Sequence, residues 1–179
     1  MKTPLDSLAA QVNTSRDYDA PPLHLWHPPL SGDIAIFIDA QGTWYHEEGK
    51  ITRDSLVRLF ASILRREHDG EYYLVTPTEK WRIKVHSHAL RITDIAVLEA
   101  EREHTLQATL NTGRQVRVST QHPLFLDQAA DNIAALSLPH GLTALCTRAA
   151  WYRLIGVAKE EHGSLILSSG DFSLRLPIE

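Results

Sequence analysis

Apolar and polar positions along this chain fall into two periods. Ile34-Ala35-Ile36-Phe37-Ile38 reads as a strand, Asp39-Ala40-Gln41-Gly42 as its turn, and Thr43-Trp44-Tyr45-His46 as the returning strand. Leu56, Leu59, Phe60, Ile63 and Leu64 then recur at i, i+3, i+4, i+7 and i+8, which is one apolar face of a helix. Arg53, Arg58, Arg65 and Arg66 fall largely outside that stripe. Thr52 is placed to cap the helix and Asp54 to meet its positive end. Past Gly70 two strands are predicted, at 71–76 and 80–88, joined by Thr76-Pro77-Thr78. In the second of them Trp81, Ile83 and Val85 alternate with Lys80, Arg82 and Lys84, the pattern of one buried and one wet face.

The second half offers similar pieces. Leu106, Ala108 and Leu110 alternate, Asn111-Thr112-Gly113-Arg114 turns, and Val116 and Val118 return. Residues 120–147 show no clear period. Ala149 to Glu161 reads as a helix with Trp151, Leu154, Ile155 and Ala158 on one side, and a last hairpin turns at Ser168-Ser169-Gly170-Asp171. A constant offset of 93 places Glu67 on Glu160, Gly70 on Gly163, Leu74 on Leu167 and Arg82 on Arg175, within a run that ends at Ile178. This points to an internal repeat. The expectation is an α+β fold of two tandem related modules, each a helix packed on a small antiparallel sheet. Residues 1–20 read as a mobile leader, 21–95 as the first module and 96–179 as the second, with Ile92 to Glu103 a linking strand or short helix. Pro21-Pro22 and Pro28-Pro29, bracketing Leu23, Leu25 and Trp26, exclude a helix interior and suggest an extended strap over a core.

Bulk properties narrow the class. The chain has 179 residues, 43% apolar and 22% charged, with a net charge of −4. It is long enough to bury a core without staples, and its acidic balance argues against a nucleic-acid partner. A single cysteine, Cys146, allows no internal disulfide. With no signal sequence and no apolar run of membrane-spanning length, a cytoplasmic protein with no membrane partner is expected.

Charge distribution changes the picture locally. Residues 50–91 carry nine Lys and Arg against five Asp and Glu, a local excess of +4 in an acidic chain. Lys80, Arg82 and Lys84 share a strand face, near Arg65 and with Trp44 as an aromatic neighbour if the two hairpins share a sheet. Such a face suits a small anionic ligand or a protein partner, while a solvated strand surface is the plainer reading of it. His86 and His88 continue the same parity and could hold a metal, given a third ligand such as His46 or Glu47. Cys146 follows Leu142-Thr143-Ala144-Leu145, an apolar setting that raises a thiol's pKa and leaves it inert. No phosphate-cradling glycine loop, nucleophile elbow or His-Glu-x-x-His stands in the chain, so no catalytic residues and no cofactor are expected.

Several runs resemble an uncharacterised proteobacterial family known only as a domain of unknown function. They are Trp26-His27-Pro28-Pro29, Asp39-Ala40-Gln41-Gly42-Thr43-Trp44, Gly49-Lys50-Ile51-Thr52-Arg53, Leu74-Val75-Thr76-Pro77-Thr78-Glu79-Lys80 and Trp151-Tyr152-Arg153-Leu154. The resemblance spans about residues 21–178 and implies two related α+β modules with a signalling or regulatory role. It brings no catalytic residues. It implies acidic residues after Val85, where this chain has His86-Ser87-His88. The function expected from the whole is a non-enzymatic regulatory module that binds a ligand or protein, with a metal-assisted hydrolase built on the histidine pair as the alternative.

Overall fold

In the computed structural model, which describes residues 3–13 and 20–177, strand β1 (Gly32–Ile38) alternates as its sequence demands. Ile34, Ile36 and Ile38 are buried, while Asp33, Ala35 and Phe37 are exposed. β2 (Trp44–His46) and β3 (Gly49–Lys50) continue from β1 as an antiparallel meander. A second meander, β4 (Leu64–Arg66), β5 (Tyr72–Val75) and β6 (Lys80–Val85), brings β6 back parallel to β1. The sheet therefore runs β3-β2-β1-β6-β5-β4 and is mixed, not antiparallel as expected. A parallel neighbour needs a long connection. Here that connection is most of the unit, so no local pattern announces the pairing.

Helix α2 (Asp54–Ser62) joins the two meanders. Its Phe60 is fully buried and stacks on Trp44 of β2, with ring centroids 6.4 Å apart. The helix ends earlier than its apolar stripe suggests. Ser62 turns its hydroxyl onto the Leu59 carbonyl, and Leu64, Arg65 and Arg66 become β4. The residue before the first turn is Arg53, which gives no side-chain cap, so Thr52 does not cap the helix.

The expected leader is also ordered where it is described. Helix α1 (Pro4–Asn13) starts with Thr3 and Asp6 bonding each other's backbone N–H, a reciprocal cap, and with proline in the first turn. Leu8 is fully buried, and Gln11 donates to the Glu79 carboxylate at 2.8 Å. Residues 1–2 and 14–19 of that leader, and residues 178–179 at the end of the second module, lie outside the described residues. The proline-rich strap makes a single 3-10 turn at Leu23–Leu25, with Leu23 buried. One compact unit runs as far as Ala89 and includes His140–Leu142.

The other unit comprises residues 90–139 and continues from Thr143. Its first strand, β7 (Leu90–Ala100), runs through the boundary expected near residue 95. β8 (Glu103–Leu110) and β9 (Gln115–Arg117) form the hairpin that the alternation predicts, with Leu106, Ala108, Leu110 and Val116 buried. The stretch without a period holds β10 (Leu124–Asp127), β11 (Ile133–Ser137) and β12 (Thr143–Cys146). Strand order is β10-β11-β12-β7-β8-β9, with β12 parallel to β7.

Both six-stranded sheets thus follow one plan: two antiparallel meanders, the first strand of one lying parallel to the last strand of the other. The repeat maps β1–β6 onto β7–β12, and an offset of 93 does not superpose the equivalent strands. That offset pairs β4–β6 with β13 (Lys159–Glu161), β14 (Ser164–Ser169) and β15 (Phe172–Leu176), which form a separate three-stranded sheet. Both segments are three-stranded meanders but their turns differ in length, five and four residues in the first against two and two in the second, so the likeness is local. Helix α3 (Arg148–Val157) follows β12 and packs against β7 and β12, capped by the Thr147 hydroxyl. No helix stands between the meanders of this unit, so hairpin, helix, hairpin is not its order.

Ser169 ties the small sheet to the large one. Its buried hydroxyl accepts from the Leu106 N–H at 2.8 Å and donates to the Val118 carbonyl at 2.7 Å, where the β8–β9 ladder ends. Ser169→Ala leaves two buried backbone groups unpaired and is expected to cost about 2–4 kcal/mol in urea unfolding. In the same assay Leu8→Ala is expected to cost about 2–5 kcal/mol. A loss near zero for Leu8→Ala would return the segment to a loosely attached leader.

Candidate functional site

Parallel pairing of β1 with β6 divides the first unit's sheet into a packed face and an outer one. Asp33 stands opposite Arg82, and Phe37 opposite Lys84. Across β5, Tyr73 stands opposite Arg82, and across β4, Arg65 stands opposite Tyr73. Paired residues share a face. The outer face therefore gathers Arg65, Tyr73, Lys80, Arg82, Lys84, Asp33 and Phe37, and the basic row is real as geometry.

Its charges, however, are largely engaged. Glu67 accepts from Lys80 Nζ at 3.0 Å and from Arg65 Nη2 at 3.2 Å. Arg65 also donates through Nη1 to the carbonyls of Leu23 and Trp26, so it clamps the strap, and its side chain is only 12% exposed. Lys80 lies over the Tyr73 ring, 4.7 Å from its centroid. Arg82 pairs with Asp33 at 2.6 Å in the open, and that guanidinium holds the Asp33 carboxyl below its ordinary pKa. Tyr73 donates to Asp69, a bond that with partial burial pushes its phenol up to about 12. Lys84 is exposed and, among the described residues, makes no hydrogen bond or ion pair. Trp44 does not join this face. It is 1% exposed and belongs to the core against Phe60.

The histidine pair is split. β6 ends at Val85, so strand alternation does not extend to His86 and His88. His86 is exposed and its backbone N–H donates to the Ile38 carbonyl, whereas His88 is buried. Among the described residues no group of three or more His, Cys, Asp and Glu is placed to hold a metal ion. Cys146 is fully buried, and burial pushes its thiol up to about 12 despite the nearby Arg91.

Next to the basic row lies a pocket of about 300 Å³ lined by Ala35, Phe37, Asp39, Tyr45 and Glu48. β1 shifts register against β6 between Asp33 and Phe37, with four positions of β1 spanning two of β6, so both residues stay on the outer face. Phe37 is 40% exposed and stacks against Tyr45, with centroids 6.4 Å apart and the rings inclined by 29°. The Asp39 carboxylate accepts from the N–H groups of Gln41 and Thr43 and from the Tyr45 hydroxyl. Burial and that bond to Asp39 raise the Tyr45 pKa. In the sequence Asp39 reads only as a turn residue, and Phe37 and Tyr45 as strand residues. The available signal was Phe37 itself, an apolar residue at the parity of Asp33 and Ala35.

An α+β protein built from two related mixed sheets is therefore in hand, with an aromatic pocket on the first. The model for the N-terminal domain of DUF1285, a domain of unknown function, matches residues 21–88, and that for the C-terminal domain of the same family matches residues 89–175. The chain belongs to the DUF1285 family. A crystal structure of a DUF1285 family protein from Silicibacter pomeroyi DSS-3 is 33% identical with a TM-score of 0.81, over 94% of this chain and 93% of that one. A second, from Shewanella baltica OS155, is 27% identical with a TM-score of 0.56, over 69% of this chain and 91% of that one. No curated protein matches the chain. No described helix is long and apolar enough to cross a membrane.

The Glu67 cluster has a pH signature. Partial burial acts to raise the carboxyl's pKa, but the hydrogen bonds and charges of Lys80 and Arg65 outweigh it and leave the pKa below the ordinary glutamate value. A carboxyl lowered on folding stabilises above its unfolded pKa, and that stability is lost as pH falls through the folded value. Glu67→Gln should therefore be less stable than wild type at pH 7. The difference should shrink on acidification below about pH 4. A stability gap independent of pH would show that the ion pairs do not anchor the strap.

Proposed function

We propose that this chain is a non-catalytic binding module whose contact surface is the outer face of the first unit's sheet, around Phe37, Tyr45 and Lys84. The carrying observation is the exposed Phe37–Tyr45 ring pair beside a shift in register, in a strand whose alternate residues form the core. Small-molecule sites are concave, mostly apolar and oriented by a few polar groups. This pocket has an apolar floor, with Asp39 and Glu48 as its polar groups. The contact surface expected from the basic row moves accordingly. Lys80 and Arg65 are committed to Glu67 and the strap, leaving Lys84 and the exposed Arg82–Asp33 pair at the margin. A regulatory role in the cytoplasm, in which ligand occupancy is passed to a protein partner, is the reading that accompanies such a module. The hydrolase alternative needs a third metal ligand beside His86 and His88, and the described residues offer none.

Amide chemical-shift mapping against a library of small metabolites tests the proposal. Binders should shift Ala35, Phe37 and Tyr45 together, and Phe37→Ser should weaken them about tenfold while lowering the melting midpoint by no more than about 2 °C. Binders that shift only the second unit, or that ignore the substitution, would contradict it.

A further inference from the structure

Resting on that reading of the face, we propose that the pocket between β1 and β2 takes a small organic cation, an ammonium or guanidinium group on an alkyl stem. Two carboxylates, two aromatic rings and one methyl group line it, and among the described residues no basic side chain does, although Lys50 stands opposite Tyr45 on the same face. A cation over an aromatic face is drawn to the ring quadrupole, and an alkyl stem gains from contact with the same rings. An anion would meet two carboxylates instead. The sequence alone points the other way, toward an anion on the basic row.

The two acids differ in a way that suits recognition. Asp39 is fixed in place by two backbone N–H groups and the Tyr45 hydroxyl, so it offers a preset negative charge. Among the described residues Glu48 makes no hydrogen bond or ion pair, and it is exposed at the rim, free to close on a ligand. Its place in the chain is costly. Glu47 and Glu48 occupy the two central positions of the tight β2–β3 turn, with φ of 48° and 69°, a left-handed conformation suited to Asn-Gly. The turn itself gives no reason for carboxylates there. Lys84 lies on the other side of Phe37 from Tyr45, so it bounds the pocket's margin without entering it. A volume of about 300 Å³ accommodates an amine or guanidine the size of one long basic side chain.

Chemical-shift titration tests the assignment with matched probes: 1,5-diaminopentane, acetyl-Gly-Lys-Gly-amide, 1,5-pentanediol and glutarate. The two amines should shift Phe37 and Tyr45 saturably, and the diol and the dianion should bind at least ten times more weakly. Glu48→Gln, a change at an exposed position, should weaken amine binding by about fivefold at low salt with an unchanged melting midpoint. Tighter binding of the free diamine identifies a small metabolite as the source of the cation, and tighter binding of the capped peptide identifies a partner's lysine. Glutarate or diol binding as tightly as diamine at Phe37 and Tyr45 would overturn the cation assignment and leave the binding face standing. No response from any probe would overturn both.

Discussion

Parallel hydrogen bonding between β1 and β6 is the constraint on which the first unit depends. It joins two meanders into one sheet and fixes which residues of each central strand face inward. With Gly32 set against Trp81 and Ile38 against Val85, Ile34, Ile36, Ile38 and Ile83 enter the core. Asp33, Phe37, Arg82 and Lys84 are then forced onto the other side, because a strand's side chains alternate. Gly32 contributes directly: its φ is +144°, and a Cβ there would meet the Trp81 ring at 3.3 Å. The register shift in β1 keeps Asp33 and Phe37 on one face. The second unit applies the same constraint through β7 and β12.

Local periodicity made part of this fold legible. Strand β1, the β8–β9 hairpin and helix α2 carry their burial pattern in adjacent letters. Strands β10 to β12 do not. Ala134, Ala135 and Leu136 are all buried, as are Ala144, Leu145 and Cys146, so no polar face marks them. Such runs cannot be told from helix or loop by period. The parallel pairings are invisible for a different reason, since each joins strands separated by most of a unit. Helix α1 left a short trace, Thr3-Pro4 followed by Asp6, which is a capping signature rather than an apolar stripe.

The candidate site divides along the same line. That Lys80, Arg82 and Lys84 share a face follows from alternation alone. What occupies their charges does not, because Glu67, Asp33 and the Leu23 and Trp26 carbonyls come from other segments. A three-residue strand carries too little pattern to fix the face of Trp44, and its stacking partner Phe60 comes from α2. The acids at the β2–β3 turn look like surface residues in sequence. They acquire meaning only when Asp39 and Glu48 border the same rings.

A recognition surface on the first sheet, centred on Phe37 and Tyr45, is the central claim, and crystals soaked in a panel of small organic solvents and amines would test it most directly. Probe density should collect between the Phe37 and Tyr45 rings and touch Glu48, with little beside Lys80 and Arg65. Density that gathers around Lys80 and Arg65 or on the second unit, and leaves the rings bare, would contradict the account.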